Sequence, residues 1–283
     1  MIEAITAVGL IAPPMRSDAL LCASEAADYL AGHGIIVLCE DELEELLPAC
    51  IPFSRADVKP QALVCLGGDG TILRGAQYAV QWNAPLVGIN LGQVGFLAEI
   101  DKEDMLPAMD ALLEGRFTEE ARSLLEATTE DGRRFLALND VVVTRGGYAR
   151  LVTVRALVNG ALAGDYRADG LVIATPTGST GYSLAAGGPI VSPDVDCMII
   201  TPICAHSLQH RPEVVPGSAE ISLRLHKHDV MEGALQIDGR TCAQLHAGDG
   251  VQVRRAQERL RLIRMKNTGF FEIATRKLSD WAK

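Results

Sequence analysis

The chain has 283 residues, with 26 Lys plus Arg against 36 Asp plus Glu, a formal net charge of -10, and 48% hydrophobic and 22% charged residues. That is enough chain to bury a sizeable core as one large domain or two ordinary ones, and the composition is that of a globular protein. The acidic balance argues against sequence-independent binding to nucleic acid while leaving room for a local anion site, and no apolar run approaches the roughly 18 residues of a membrane span.

The first residues, "MIEAITAVGLIAPP", place no basic stretch ahead of the apolar ones and read as a first strand rather than a secretory signal. Next comes "SDALLCASEAADYLAGHG", a helix with Ser17 as its N-cap and Gly32 or Gly34 closing it, then the strand "GIIVL". The carboxylate run "EDELEELL" reads as the solvated face of a helix over an apolar one. "ALVCL" is a strand, "TILRGAQYAV" a helix starting near Thr71, "PLVGIN" a strand and "KEDMLPAMDALLEG" a helix ending at Gly115. This βαβα order implies a parallel sheet with helices packed on it, an α/β domain over residues 1–115.

Beyond residue 116 the pattern changes to strands with turn signals, in "RRFLALNDVVVTR", "ARLVTVRALVNGALAGDYRADGLVIAT", "AEISLRLHK", "GALQIDGRTCAQL" and "VQVRRAQERLRLIRM". Asn159-Gly160 and Asp238-Gly239 are hairpin signals between such runs, so residues 116–265 read as a mainly antiparallel β-sandwich. The tail "NTGFFEIATRKLSDWAK" returns to helical spacing, and residues 266–283 are expected to pack back on the first domain. Seven cysteines, odd in number and without a CxxC pair, favour reduced thiols in a cytoplasmic protein and no structural zinc site. The pairs His206/His210 and His226/His228 read as ordinary histidines for the same reason: no third ligand completes either set.

Two stretches carry chemistry. In "LGGDGTIL" the glycines at 67, 68 and 70 let the backbone approach a ligand, and the helix that follows would aim free N–H groups at an anion. A lone glycine turn would be structural, but Asp69 inside it changes the reading. A carboxylate beside phosphate serves either as a base for a hydroxyl nucleophile or as a metal ligand. The loop lacks both GxxxxGK[ST] and GxGxxG, which sets aside a Walker A loop and an ordinary dinucleotide fingerprint. The second stretch, "DGLVIATPTGSTGYSLAAGGPIV" at residues 169–191, interleaves hydroxyls and glycines after an apolar strand, and so suits a polyhydroxylated, aromatic ligand.

These pieces, with "GINLGQVGFL", "LND", "HSLQHRPEV" and "IDGR", follow one another from residue 67 to 240 in a way that resembles the ATP-dependent NAD kinases. The resemblance implies a two-domain protein with its active site at the domain junction. It also implies transfer of the ATP γ-phosphate to the 2′-hydroxyl of the adenosine ribose of NAD, magnesium or another divalent metal with the ATP, and a homodimer or homotetramer. Other nucleoside triphosphates or polyphosphate remain open as donors. Residue by residue it implies Asp69 as the proton acceptor, with Gly70 and Arg74 near the phosphates. Asn139 and Asp140 stand at the family's Asn-Glu position, and Arg150, Arg167 and Asp169 at substrate-contacting ones. Thr180, Gly181, Tyr182, Ser183, Leu184 and Ala185 line the NAD pocket, and Arg240 stands where many bacterial members have Gln. GGDGT alone also fits lipid kinases of the diacylglycerol or sphingosine type, and a non-catalytic NAD-sensing module is the third reading.

Overall fold

The computed structural model describes residues 5–92, 95–146, 151–207, 209–226, 232–266 and 268–281, with residues 280 and 281 given by their backbone alone. Two compact units emerge: residues up to Ala121 together with those from Leu260 onward, and Arg122–Arg259.

The first unit opens with β1 (Ala7–Ile11), α1 (Ser17–Gly32), β2 (Ile36–Cys39), β3 (Ile51–Pro52), β4 (Ala62–Gly67), α2 (Asp69–Trp82), β5 (Leu86–Asn90), β6 (Ile100–Asp101), α3 (Met105–Leu113) and the start of β7 (Thr118–Thr129). The main strands lie in the order β3-β2-β1-β4-β5, with parallel pairings throughout. β1, β4 and β5 are buried along their whole length, as continuous apolar runs in a parallel sheet must be. Gly67 at the end of β4 pairs with Asn90 at the end of β5, so the glycine loop leaves the carboxyl edge of the sheet, where open α/β sheets hold ligands.

Two local expectations are corrected. Ser17 is the first helical residue and not the cap; Arg16 holds the cap position with no side-chain cap bond, and its guanidinium pairs with Asp18 and donates to the Leu91 carbonyl at 2.8 Å. "EDELEELL" forms only a single 3-10 turn, Asp41–Leu43, instead of an α-helix. Leu47 precedes Pro48, which disfavours continued helix, Asp41 accepts the Ser54 amide at 2.9 Å, and Glu40 is buried rather than solvated.

The second unit takes up the rest of β7, then β8 (Arg134–Ala137), β9 (Asp140–Arg145), β10 (Val152–Val158), β11 (Ala161–Ala168), β12 (Gly170–Ala174), the short α4 (Tyr182–Ala185), β13 (Cys197–Ile203), β14 (Glu213–Pro216), β15 (Ile221–Leu225), β16 (Gly233–Ile237), β17 (Arg240–Leu245) and most of β18 (Gly250–Arg264). One antiparallel sheet runs β14-β13-β12-β9-β16-β17; a second layer contains β11-β10-β15-β18. Val141, Val143, Leu171 and Ile173 of the first layer share a core with Val152, Val154, Leu223 and Val251 of the second, which makes the unit a sandwich. Both hairpin turns take left-handed backbone at successive residues: φ is 51° and 82° at Asn159 and Gly160, and 47° and 78° at Asp238 and Gly239.

The chain re-enters the first unit in β18, where Leu262 pairs with Leu86 of β5, and ends in α5 (Phe270–Trp281). There Ile273, Ala274 and Phe270 of α5 pack on Phe96.

Candidate active site

In the first unit β4 delivers the chain into Gly68, which caps α2 in extended backbone, and the helix begins at Asp69, two residues before the expected Thr71. Thr71 is the first residue whose amide finds a helical acceptor, and the amides of Asp69 and Gly70 meet no backbone acceptor among the described residues, as in any first helical turn. The Asp69 carboxylate is not loose. The Phe96 amide donates to Oδ2 at 3.0 Å and the Leu97 amide to Oδ1 at 3.1 Å, while the Lys277 ammonium of α5 lies 3.3 Å from Oδ2. Gly95 admits this arrangement, because a Cβ there would stand 2.2 Å from Asp69 Oδ1.

Arg74, one turn into α2, meets Glu40 at the end of β2: Nη2 donates to Oε2 at 2.8 Å, and Nε lies 2.7 Å from Oε1, close enough to pair as charges though not aligned as a hydrogen bond. Burial raises the Glu40 carboxyl above its ordinary range, and the Arg74 charge opposes that rise. Asn90 is a further buried group here, its Oδ1 without a hydrogen-bond partner among the described residues while its side-chain amide donates to the Gly92 carbonyl at 3.2 Å.

In the second unit the turn after β12 is built from its own hydroxyls. Thr175 Oγ1 donates to the Leu138 carbonyl at 2.6 Å and accepts the Gly178 amide at 2.9 Å; Thr180 donates to the Thr177 carbonyl at 3.2 Å; Ser183 and Thr201 share a bond of 2.8 Å. The hydroxyls therefore shape the turn, and the surfaces it offers outward are Gly181, Leu184, Ala185 and the Tyr182 ring, which is 44% exposed. A Cβ at Gly178 would stand 2.0 Å from the Asn139 carbonyl, so the turn lies directly on the β8–β9 connection.

That connection carries Asn139 and Asp140. Asp238 fixes it by accepting the amides of Leu138, Asn139 and Asp140 at 2.8, 2.7 and 3.1 Å. The Asn139 Oδ1 is buried and has no hydrogen-bond partner among the described residues, so it can accept one donor. Asp140 is 4% exposed, and its carboxyl is pushed up to about 7 by burial first and by the neighbouring Asp238 second. Burial also raises Asp238 itself, against which the three amides and the Arg240 charge act. The ordinary pKa of the Tyr182 hydroxyl is raised by burial first and then by the negative charge of Cys204, Asp169 and Asp140.

The remaining sequence-derived residues divide. Asp169 pairs with Arg145 at 3.0 Å, a partner that sequence reading missed; Arg167 and Arg240 are exposed, and Arg150 lies outside the described residues. His206 and His210 sit in a segment that is not helical, where His206 donates its amide to the Arg167 carbonyl and the His210 ring packs 4.7 Å from Tyr166. His228 lies outside the described residues, and no group of three or more His, Cys, Asp or Glu suited to a metal occurs among them. Lys277 is the principal site residue missed. The signal was its spacing: Phe270, Ile273, Ala274 and Lys277 fall on one helical face, so a lysine stands in line with an apolar stripe.

An α/β unit whose glycine turn presents a fixed carboxylate at a helix start, joined in one chain to an antiparallel sandwich with a hydroxyl-built turn, defines a two-domain kinase of the GGDGT class. Comparison makes the assignment particular. Residues 8–117 match the ATP-NAD kinase N-terminal domain and residues 138–265 the ATP-NAD kinase C-terminal domain, and the chain belongs to the NAD kinase family. It is 38% identical to an NAD kinase of Desulforamulus reducens over 97% of both chains, and 44% identical to one of Geobacter metallireducens over 76% of this chain and 77% of that one. Among solved structures, yeast NADH kinase complexed with NADH superposes with a TM-score of 0.87 at 26% identity, covering 98% of this chain and 89% of the other. An NAD kinase from Archaeoglobus fulgidus in complex with ATP gives a TM-score of 0.74 at 25% identity, with 96% and 98% covered. These matches favour neither the lipid-kinase alternative nor the sensor.

Proposed function

We propose that the protein transfers the γ-phosphoryl group of ATP to the 2′-hydroxyl of the adenosine ribose of NAD, releasing ADP and NADP. The observation that carries the reading is the Asp69 carboxylate, oriented by two backbone amides in a glycine turn at the start of α2. A ribose hydroxyl is a poor nucleophile, and a positioned base that takes its proton contributes roughly 10²- to 10⁴-fold. The remaining acceleration comes from positioning and from positive charge around the transferred group.

In this reading residues 1–115 hold phosphates and the base, residues 116–265 hold the dinucleotide, and residues 266–283 serve the first group. Gly70 contributes its amide. Arg74, tied to Glu40, adds positive potential behind the loop. Asn139 offers its unpaired acceptor to a donor on NAD, and Asp140, where the family has Glu, meets a ribose hydroxyl through water. Tyr182, Leu184 and Ala185 provide the exposed surface over which the dinucleotide lies, with Thr180, Gly181 and Ser183 shaping the turn beneath. Arg167, Asp169 and Arg240 supply its polar rim, and Arg150 keeps the substrate-contacting role that the family resemblance implies. Magnesium or another divalent ion would enter with ATP, as an ion that keeps its waters and rides on the phosphates. Family resemblance supports a cytoplasmic homodimer or homotetramer.

The test is a coupled assay with purified protein, NAD, ATP and Mg²⁺, in which an NADP-specific dehydrogenase reads out the product. Asp69→Asn should keep NAD binding by calorimetry and lose turnover by roughly 10²- to 10⁴-fold. Near-normal turnover in this variant refutes the base, and no product from folded wild type with any donor refutes the reaction.

A further inference from the structure

The Lys277–Asp69 contact has no structural need behind it. The helix that carries Lys277 is already seated by Phe270, Ile273 and Ala274 against Phe96, and each oxygen of the Asp69 carboxylate already accepts a backbone amide. Yet the ammonium is placed with care. Its side chain is only 16% exposed, Nζ stands 3.3 Å from Asp69 Oδ2, and it lies 4.3 Å from the centre of the Phe96 ring, whose own amide holds the same oxygen. Drawing a lysine out of water costs free energy that an ion pair returns only in part. A group kept there against that cost is a candidate for chemistry.

The geometry points to Lys277 as a catalytic cation: its ammonium fixes the Asp69 carboxylate before substrates arrive and contacts the transferring phosphoryl group during the reaction. This inference rests on the phosphotransfer reading above. A hydroxyl that donates to Asp69 brings its oxygen about 2.7 Å from the carboxylate, and in an attacking geometry the phosphorus stands about 3–3.5 Å beyond. An ammonium 3.3 Å from the same carboxylate reaches the phosphoryl oxygens by rotation of its own stem. The balance is simple. The hydroxyl proton passes to Asp69, the oxygen–phosphorus bond to NAD forms, the bond to the ADP oxygen breaks, and Lys277 keeps its proton throughout, offsetting the negative charge on the oxygens between the two. The Phe96 ring face supports the cation from one side.

The experiment compares wild type, Lys277→Met, Lys277→Ala and Lys277→Arg in the full chain, with Asp69→Asn as the control. Far-ultraviolet circular dichroism and NAD calorimetry establish that each variant is folded and binds. Lys277→Met should lose kcat about 10²-fold with little change in the KM for NAD, as does removal of one preorganised charge donor at a transition state. Lys277→Arg should retain more activity than Lys277→Met, and added methylammonium should raise the kcat of Lys277→Ala about tenfold while leaving wild type unchanged. A kcat for Lys277→Met within about threefold of wild type overturns the proposal, since it lies well under the expected loss. So does a loss that neither arginine nor the amine relieves, because the lysine then acts only on structure. Failure of wild type itself to form NADP is a different result, which removes the reaction and not merely this residue's part in it.

Discussion

Replacing Asp140 by Asn should make the protein more stable at neutral pH than the wild type, and the difference should vanish in acid. The wild-type carboxyl is nearly fully buried beside Asp238 and is pushed from its ordinary 3.8 up to about 7. Between those two values the folded protein holds a proton that the unfolded chain has released, so stability falls as pH rises through that window and levels off above about 7. At about 1.4 kcal/mol per pH unit the displacement amounts to about 4 kcal/mol. Asn imitates the protonated form and does not titrate. Thermal unfolding of both proteins, followed by circular dichroism from pH 4 to 8, should show Tm curves that coincide in acid and separate by on the order of 10 °C at pH 8. Curves that stay parallel across the range refute the raised carboxyl and the burial argument behind it.

Three further substitutions probe the two units separately. Gly178→Ala places a methyl group 2.0 Å from the Asn139 carbonyl, backbone that cannot give way, and should destabilise by about 1–3 kcal/mol and remove NAD binding in calorimetry; an unchanged heat of binding would sink this. Gly95→Ala brings its methyl against Asp69 Oδ1, a side-chain end that can rotate, so the fold should survive while kcat falls about 10²-fold as the carboxylate leaves its two amides. Glu40→Ala strands the half-buried Arg74 and should cost about 3 kcal/mol in urea unfolding; a change under about 1 kcal/mol contradicts the pairing's part in holding α2 against β2.

The parts of the fold legible in the sequence were those where one residue type answers one backbone demand. Asn-Gly and Asp-Gly mark turns that need left-handed backbone, and the runs that became β1, β4 and β5 are apolar because both faces of a parallel sheet are covered. β7 was not legible. Its sequence, "TEEARSLLEATT", carries charges that strands usually avoid, and the reason appears only in three dimensions: Glu119 and Glu120 pair with Arg261 and Arg264 at one end, and Glu126 with Arg134 and Arg254 at the other. Charge opposite charge across a ladder replaces the apolar alternation that a reader of sequence looks for.

The same logic separates the site residues. Asp69 was legible because a carboxylate in a glycine turn conflicts with the anion the turn would hold, and a conflict with a local rule asks for a functional answer. Glu40 and Lys277 break rules as well, one a charge followed by a false helix pattern and the other a charge on an apolar face. In those cases the compensating group lies 34 and 208 residues away in the chain. Helical period alone could have placed Lys277 beside Phe270, Ile273 and Ala274, and the oddity of that position was open to reading. Only the folded chain says which carboxylate it faces, the Asp69 side chain held by the Phe96 and Leu97 amides.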